Sequence, residues 1–570
     1  MDDELLESVE HEARKHALFN ALKHDGTADV GAVMGPLMGE NPAFRPHGDE
    51  IPQVVARVVA SVNDLDHTEQ LAQLEEIDQE LVAELTTEHE DDERGLPALP
   101  NIEGVSQVRM RLAPNPNAPY HLGHARMPAV IGTYKDRYDG WMLCRFDDTD
   151  PETKRPQIDA YDAILEDIEY LGFTPDDVLI ASDRLEIYYD HARQLIDVDG
   201  AYTCSCPAES FSRLKAKGEA CPHREKSRDT VHDEFDAMVD GSYDAGEMVL
   251  RVSTDLEHPN PAVRDWVAFR MVDTPHPREE ARSYRCWPML DFQSAIDDYL
   301  TEVTHIIRGI DLQDSARRQR FVYDRFGWTY PEVIHWGHVE VDEYDVPLSA
   351  SKITALIENG DLNGWDDPRA PTIASLRRRG IRGEAITDAM IELGTSTTNV
   401  ELAMSWIYSR NRELIDGSAD RYFLVTDPVE FDTVDVPPYG HPPRHPEFPD
   451  RGDRELPAES GVLLDREDVP ERGERVWLKG LGCVERSADT LALTDDEIDV
   501  VREGSVPVVH WVPAVDNHPV ELRRPDGTVD GLAESGITEV AVDTVFQFER
   551  VGFARIDEQG ETTVAYFSHR

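Results

Sequence analysis

The stretch RLAPNPNAPYHLGHAR, residues 111–126, decides the fold class of this chain. It places three prolines within six positions and then two histidines, His121 and His124, at i and i+3. Proline fixes φ and lacks an N–H group, so these prolines predict a stiff, extended loop directly before the start of a helix. The unpaired N–H groups and partial positive charge of a helix N-terminus favour a phosphate group there.

The two histidines are candidates for a role at that phosphate. His121 and His124 lie on one face of the predicted first turn, and both can donate hydrogen bonds to a phosphate whose charge grows in a transition state. Gly123 between them allows a ligand to approach the backbone closely. The arrangement suits attack on a nucleotide α-phosphate. Because an H-x-x-H pair is also common as ordinary packing, the stretch leaves a catalytic and a structural interpretation open.

Strand and helix patterns alternate around this stretch. The segments VSQVRMRLA (105–113) and WMLCRFDDTDP (141–151) have strand patterns, whereas HLGHARMPAVIGTYKDRY and DAYDAILEDIEYLGF have helical spacing. Such alternation predicts a parallel sheet wrapped by helices. The alternation breaks over residues 201–285, which predicts an inserted domain, and it resumes from Cys286 to the segment LSASKI at 348–353.

The two ends of the chain differ from this central region. The first 95 residues are acidic and have apolar residues at helical spacing, which predicts a small appended helical domain. From Ile373 to about Leu424 the pattern is again helical. Beyond Val425 the chain is rich in Pro, Gly, Val and Thr with short alternating runs, which is typical of a β-barrel or sandwich. A length of 570 residues agrees with several domains.

The charge of the chain is extreme. It has 114 acidic and 56 basic residues, a formal net charge of −58, and only nine of the basic residues are lysine. This acidity, spread along the whole chain, is typical of a folded protein in a halophile's cytosol, where salt screens self-repulsion. Apolar runs and aromatic residues in every segment after the first hundred residues argue against disorder. The sequence has neither a long apolar run nor a signal peptide, so we expect a cytoplasmic protein with no membrane partner. We expect no DNA partner either.

A single lysine stands out in the segment LSASKI. Lys352 is the only lysine between Lys226 and Lys479. In a chain that otherwise uses arginine, a lysine between serines favours a role that needs a compact, mobile ammonium group. A solvated loop lysine is the alternative.

The two motifs together resemble the HIGH and KMSKS motifs of class I aminoacyl-tRNA synthetases. The flanking segments RFDDTDP, WPMLDF, AIDD and VTHIIRGID are similar to those of the glutamyl and glutaminyl enzymes, and the resemblance covers about residues 105–425. The archaeal type of glutamyl-tRNA synthetase is the most similar group. The resemblance implies ATP-dependent activation of L-glutamate with Mg²⁺, followed by transfer to the 3′-terminal adenosine of tRNA(Glu). A non-discriminating enzyme of this type also charges tRNA(Gln).

The resemblance also implies a fold class and a division of the chain. The fold class is multidomain α/β, with a Rossmann-type class I synthetase catalytic domain. The expected segments are an appended helical N-terminal domain (1–95), the first half of the catalytic domain (96–200), an inserted acceptor-end-binding domain (201–285), the second half of the catalytic domain with the KMSKS-like loop (286–365), a helical connecting domain (366–425) and a β-barrel anticodon-binding domain (426–570).

Site residues follow from the matching motif positions. The implied catalytic residues are His121, His124 and Lys352. The implied ATP-binding residues are these three with Pro114, Asn115, Pro116, Gly123 and Ser351. The implied substrate-binding residues are Arg111, Ala113, Asn115, Asp147 and Arg308.

Three of these positions have expected roles toward glutamate. Arg111 matches the arginine that binds the side chain, and a guanidinium fork suits the γ-carboxylate. Asp147 matches the acid that holds the α-ammonium group, and Arg308 matches an arginine near the substrate carboxylate. The chain departs from the pattern at Leu290, where many relatives carry a tyrosine, and at Ala350, where some carry a lysine.

A cluster of cysteines lies in the predicted inserted domain. Cys204, Cys206, Cys221 and His223 follow the pattern C-x-C, fourteen residues, C-x-H, which predicts a structural zinc site with tetrahedral ligands. The alternative is a group of small buried thiols. Six cysteines in the chain are too few for a disulfide framework.

An RNA-binding protein with a net charge of −58 needs local positive charge, because phosphate contacts depend on it. The segment SLRRRGIRG is among the densest basic runs and is a candidate tRNA-stem contact; the alternative is a solvated helix face balanced by nearby acids. Its arginines are Arg377, Arg378, Arg379 and Arg382.

Other functions compete with this interpretation. Glutaminyl-tRNA synthetase shares the fold and motifs, and a non-catalytic tRNA-binding paralogue would share the fold. A nucleotidylyltransferase of the H-x-G-H kind is disfavoured, because those enzymes are much shorter and lack an appended barrel.

Overall fold

The computed structural model describes residues 3–23, 27–40, 44, 51–63, 65–77, 95–495, 501 and 506–570. The chain forms two compact units, Met1–Glu93 and Arg94–Arg570. Residues 78–94, which include the end of the predicted N-terminal helical domain, lie outside the described residues. No helix in the described ranges is both long enough and apolar enough to cross a membrane.

The first unit is helical. Helix α3 (Ile51–Asn63) shows why: its valines recur at helical spacing and form a buried stripe that packs into one hydrophobic core with the other helices. The described helices are α1 (Asp3–Lys23), α2 (Val30–Glu40), α3 (Ile51–Asn63) and α4 (His67–Ile77).

The second unit begins with a parallel sheet wrapped by helices. Strands β1, β2 and β3 pair in parallel in this order, and β8 and β9 form a second parallel pair. The Thr304 N–H, just before β8, donates to the Arg109 carbonyl at 2.8 Å, which places β8 beside β1. The strands are β1 (Arg109–Leu112), β2 (Trp141–Phe146), β3 (Asp177–Ile180), β8 (His305–Gly309) and β9 (Glu332–Trp336). The helices are α5 (Arg126–Arg137), α6 (Ile158–Tyr170), α7 (Leu185–Asp197), α10 (Leu290–Leu300) and α11 (Gln313–Phe326).

An antiparallel sheet is inserted between β3 and β8. Its strands pair in the order β4-β5-β6-β7. The last of them, β7, lies just beyond the predicted boundary at residue 285, so the inserted sheet ends slightly later than the sequence suggests. The elements are β4 (Ala201–Cys204), α8 (Ala208–Lys217), α9 (Arg228–Val239), β5 (Val249–Val252), β6 (Val267–Met271) and β7 (Cys286–Pro288).

The connecting region is mainly helical. Two short strands in this region, β10 and β11, pair in parallel. The elements are β10 (Val339–Val341), α12 (Ala350–Glu358), α13 (Ile373–Arg378), α14 (Gly383–Glu392), β11 (Val400–Leu402) and α15 (Met404–Ile415).

The C-terminal region contains two seven-stranded sheets, each with its own hydrophobic core. Its first strands, β12 (Arg421–Tyr422) and β13 (Leu424–Val425), pair with β25 (Val545–Phe548) and β24 (Gly527–Glu534). The chain therefore enters this region before the predicted boundary at 425. The strands are β12 (Arg421–Tyr422), β13 (Leu424–Val425), β14 (Pro428–Val434), β15 (Tyr439–Gly440), β16 (Leu456–Pro457), β17 (Val462–Asp465), β18 (Arg475–Leu478), β19 (Gly482–Ser487), β20 (Thr490–Asp495), β21 (Val508–Val509), β22 (Val512–Pro513), β23 (Asn517–Arg524), β24 (Gly527–Glu534), β25 (Val545–Phe548), β26 (Gly552–Glu558) and β27 (Thr563–His569).

Candidate active site and metal centre

His121 and His124 lie at a 3₁₀ turn. This turn spans Leu122–Ala125, and helix α5 follows directly. Residues i and i+3 eclipse in a 3₁₀ turn, and the two imidazole rings stack with centroids 3.6 Å apart and planes inclined by 19°. The sequence pattern predicts the first turn of an α-helix here. The structure instead has the tighter 3₁₀ turn, which places the two imidazole rings face to face.

Burial keeps both imidazoles uncharged. It lowers the pKa of His121 to about 4. It also lowers the pKa of His124 well below its usual range, and the neighbouring His121 adds to that effect. A neutral imidazole has one N–H donor and one acceptor nitrogen. Each ring can therefore donate one hydrogen bond to a phosphate oxygen without adding a charge of its own.

The proline loop before the turn is pinned to the end of β2. The Asp147 N–H donates to the Pro114 carbonyl at 2.9 Å, and the Gln157 N–H donates to the Pro116 carbonyl at 2.8 Å. The Asn115 amide donates to the Asp147 carbonyl at 2.9 Å. Its Oδ1 atom is buried and has no hydrogen-bond partner in the described part of the chain. Asn115 therefore retains an unused acceptor on a rigid loop.

The segment before α12 brings the second motif against the first. A Cβ atom at Gly123 would lie 3.2 Å from Cε1 of His121 and 3.4 Å from Cδ1 of Leu348. Leu348 precedes Lys352 by four residues. The side chains of Ser351 and Lys352 are exposed. The flexible ammonium of Lys352 is therefore available to a ligand bound near the histidine turn.

Arg111, in β1, is held by an aspartate from α10. Its Nε donates to Oδ1 of Asp298 at 3.2 Å, and Arg111 is only 6% exposed. Asp298 also accepts a hydrogen bond from Nη1 of the fully buried Arg145 at 2.7 Å. Although burial favours the neutral acid, the Arg111 and Arg145 guanidiniums hold the pKa of Asp298 below its usual range. Asp298 is therefore charged, and it fixes the position of Arg111.

Asp147, the predicted partner of the substrate ammonium group, is already engaged by protein side chains. Nε of Arg145 donates to its Oδ1 at 2.6 Å, and the Gln293 amide donates to the same oxygen at 3.1 Å. Burial raises the pKa of Asp147, and the Arg145 charge opposes that rise. A substrate ammonium at this position would share the carboxylate with Arg145. Ala113, beside this loop, is half-buried.

Arg308, in β8, is a second buried guanidinium near Arg111. Its Nη2 donates to Oε1 of Gln319 at 3.1 Å, while its Nε is buried without a partner within the described ranges. Burial and the Arg111 charge lower the pKa of Arg308. Asp291 pairs with Arg318 at 2.7 Å, which partly offsets its repulsion of an anionic substrate. Arg308, which has no carboxylate among its hydrogen-bond partners in the described residues, therefore lies beside the paired Arg111 at a site suited to an anion.

Family models match most of this chain. The model described as tRNA synthetases class I (E and Q), catalytic domain, matches residues 107–416. Two models for anticodon-binding domains of the same group match residues 419–501 and 508–557. The chain belongs to this family.

The similarity to curated class I synthetases extends over the full length. Glutamate–tRNA ligase from Haloarcula marismortui is 62% identical over 579 residues, which cover 100% of both chains. Glutamate–tRNA ligase from Natronomonas pharaonis is 62% identical over 570 residues with the same coverage. Among solved structures, a glutamate tRNA ligase from Elizabethkingia meningosepticum aligns with 55% of this chain and 70% of its own, at 18% identity and a TM-score of 0.37.

The inserted sheet of this class I synthetase carries the candidate metal centre. The ligand atoms of Cys204, Cys206, Cys221 and His223 all lie within 4.8 Å of one another. The Sγ atoms of Cys204 and Cys221 are 3.7 Å apart, and Nδ1 of His223 is 3.3 Å from Sγ of Cys206. Zinc bond lengths place the ligand atoms of a tetrahedral site roughly 3.5–3.8 Å apart. The cluster therefore has the donor set and nearly the spacing of a structural zinc site.

The four arginines of SLRRRGIRG do not form one surface patch. Arg382 is exposed, and Arg377 lies 3.8 Å from Glu166. Arg378 pairs with Asp366 and Asp557. The prediction of a tRNA contact is wrong for Arg379, because this side chain is buried and its guanidinium donates to groups inside the protein.

Asp298 and Arg145, which organise the site around Arg111, are not among the residues predicted from the sequence. A signal for them is present in the sequence, because RFDD and AIDD place charged residues inside otherwise apolar segments. Buried charges are rare unless they are paired. Acids in two such segments therefore predict ionic partners, although the sequence does not indicate which residues pair.

Proposed function

We propose that this class I synthetase is a glutamate–tRNA ligase, which activates L-glutamate with MgATP and esterifies the 3′-terminal adenosine of tRNA(Glu). The full-length identity of 62% to proteins named glutamate–tRNA ligase carries the proposal. The buried guanidiniums of Arg111 and Arg308 support it, because they suit the side-chain carboxylate that distinguishes glutamate from glutamine.

In the activation step, the α-carboxylate of glutamate attacks the α-phosphorus of ATP. The bond from that phosphorus to the bridging oxygen breaks, and pyrophosphate leaves. His121 and His124 donate hydrogen bonds to phosphate oxygens as charge develops on them. Lys352 neutralises charge on the departing pyrophosphate. Mg²⁺ arrives with ATP and reduces repulsion among the phosphates.

In the transfer step, a ribose hydroxyl of the terminal adenosine attacks the carbonyl carbon of glutamyl-adenylate. AMP leaves with the electrons of the broken acyl–oxygen bond, and the hydroxyl proton is lost. We place this reaction in the cytoplasm, where tRNA is charged. Arg377 and Arg382 remain the candidates for contacts to tRNA phosphates, because their side chains reach the surface.

Two other functions are weaker. A glutaminyl enzyme would bind a neutral amide beside Arg308, whose hydrogen bonds within the described residues go to the uncharged Gln319 and Tyr330. The buried charge of Arg308 would then lack an anionic partner. A non-catalytic paralogue has no need to keep Leu348 against the histidine turn and Lys352 accessible. Neither function accounts for the arrangement as simply as glutamate activation does.

Aminoacylation tests the proposal. The chain is incubated in molar KCl with ATP, unfractionated archaeal tRNA and either labelled glutamate or labelled glutamine, and the charged tRNAs are separated by anticodon. Glutamate on tRNA(Glu) is the expected product, and glutamate also on tRNA(Gln) would make the enzyme non-discriminating. Incorporation of glutamine, or of neither amino acid by a folded sample, would refute the proposal.

We also propose that Cys204, Cys206, Cys221 and His223 bind one structural Zn²⁺. Four protein ligands leave no open position, so the metal would stabilise the inserted domain and take no part in the reaction. Metal analysis by mass spectrometry should find about one zinc per chain. Cys206→Ser should lose most of it, whereas Cys483→Ser, at a buried cysteine outside the cluster, should retain it. Equal zinc in both variants would exclude this ligand set.

A further inference from the structure

Arg379 is a fully buried cation at the meeting point of three segments that are distant in sequence. It follows α13 and is 1% exposed. Its Nε donates to the Phe567 carbonyl at 3.0 Å, and its Nη2 donates to the Ser568 carbonyl at 2.6 Å. Both carbonyls belong to β27, the last strand of the C-terminal region. Ser568 Oγ donates in turn to the Arg379 carbonyl.

Two tyrosine hydroxyls accept the remaining hydrogen bonds of this guanidinium. Nη1 donates to the Tyr344 hydroxyl at 2.9 Å, and Nη2 donates to the Tyr408 hydroxyl at 3.1 Å. Tyr408 lies in α15. Tyr344 lies in the segment 342–349, which joins β10 to α12 and which we call the approach segment because it leads to Lys352.

The approach segment has other anchors along its length. Val346 packs against the buried cluster of Ile353, Leu362 and Ala370, and the Tyr408 hydroxyl interacts with the Glu343 carboxylate. At its start, the Asp342 carboxylate accepts the Met404 N–H at 2.7 Å. At its end, Leu348 lies close to Gly123 of the histidine turn. Between these points, the hydroxyl of Tyr344 joins the segment to Arg379. The position of Tyr344 therefore bears directly on where Leu348 and Lys352 lie relative to the histidines.

We infer that Arg379 and Tyr344 are positioning residues. Through their hydrogen bonds, the position of β27 determines the positions of the approach segment and of Lys352. The inference rests on the proposed function, since it assigns Lys352 a role in activation. A buried donor that loses its acceptor is destabilising, because nothing then offsets its removal from water. The Phe567 and Ser568 carbonyls therefore fix the orientation of the Arg379 guanidinium. That orientation determines where its Nη1 can donate a hydrogen bond to the Tyr344 hydroxyl.

Matched variants of the two tyrosines test this inference. Tyr344→Phe and Tyr408→Phe each remove one hydroxyl that accepts from Arg379. Tyr344 lies on the approach segment itself, whereas Tyr408 lies in α15 and reaches the segment only through the Glu343 carboxylate. ATP–pyrophosphate exchange is measured on the full chain with tRNA in molar KCl, together with thermal unfolding. We expect Tyr344→Phe to lower kcat roughly three- to tenfold, the range of one lost hydrogen bond, with the KM for glutamate unchanged. Tyr408→Phe should lose clearly less kcat than Tyr344→Phe and show a similar change in Tm.

A double-mutant cycle shows whether the effect passes through Lys352. In a Lys352→Ala background, Tyr344→Phe should cause little further loss of kcat, because the group that it positions is already absent. Equal kcat losses in the two tyrosine variants, no loss in either, or full additivity with Lys352→Ala would overturn the inference. A folded wild-type chain without exchange activity would instead refute the proposed function, and this inference with it.

Discussion

The substitution Asp298→Asn tests the ionic network around Arg111, at the proposed glutamate site. Asp298 is buried between Arg111, at 3.2 Å, and Arg145, at 2.7 Å. Asparagine keeps the size of the side chain and removes its charge. Removing one partner from a buried ion pair costs about 3–5 kcal/mol, because the remaining charge stays buried. Arg145 retains Asp147 at 2.6 Å, so we expect a loss near the lower end, about 3 kcal/mol.

An exposed pair provides the control. Asp236 pairs with Arg193 at 2.9 Å, but the two side chains are 53% and 32% exposed. Pairs at the surface contribute about 0–1 kcal/mol, so Asp236→Asn should lower the free energy of unfolding by less than about 1 kcal/mol. Both variants are compared with the wild type by urea titration in molar KCl, and unfolding is monitored by tryptophan fluorescence.

Glutamate binding gives a second, independent readout. Without the Asp298 charge, Arg111 loses the group that holds it in place. We expect the KM for glutamate in ATP–pyrophosphate exchange to rise at least tenfold, about 1.4 kcal/mol, while the KM for ATP changes little. The reasoning fails if Asp298→Asn is as stable as Asp236→Asn, or if it leaves the KM for glutamate at the wild-type value.

Three further predictions concern other parts of the molecule. Lys352→Ala should lower the kcat of ATP–pyrophosphate exchange at least a hundredfold, which corresponds to about 2.7 kcal/mol. The Tm should be unchanged, because the Lys352 side chain is exposed. An active variant would argue against a role of Lys352 in activation. Burial lowers the pKa of His121 to about 4, so the unfolded chain binds the extra proton and stability falls as pH drops from about 6.5 toward 4. In His121→Gln this slope, measured by denaturant titration at each pH, should be shallower. Gly383→Ala should destabilise the chain by about 1–3 kcal/mol or more, because its Cβ would lie 1.7 Å from the Tyr170 carbonyl oxygen; Gly536→Ala, where the nearest atom is 3.8 Å away, should leave Tm nearly unchanged.

Local sequence patterns were enough to identify the family and the fold class. Proline stiffness before the histidine turn, the alternation of strand and helix patterns and the spacing of the cysteines are all short-range features. Their physical causes act within a few residues. The pattern could therefore indicate the parallel sheet, the inserted domain and the motif residues, although it placed the histidines on an α-helical turn and shifted two domain boundaries.

Side chains far apart along the chain settled the partners within the site. Arg111 and Asp298 are separated by 187 residues, and Arg379 and Ser568 by 189. A run such as SLRRRGIRG is typical of a protein surface. Arg379 is nevertheless buried, because β27 and the approach segment cover it and accept its hydrogen bonds. The energy of a charge depends on its surroundings after folding, through burial and nearby partners. Composition and spacing do not contain that information. Only the folded structure therefore distinguishes a surface arginine from a buried arginine that joins distant segments.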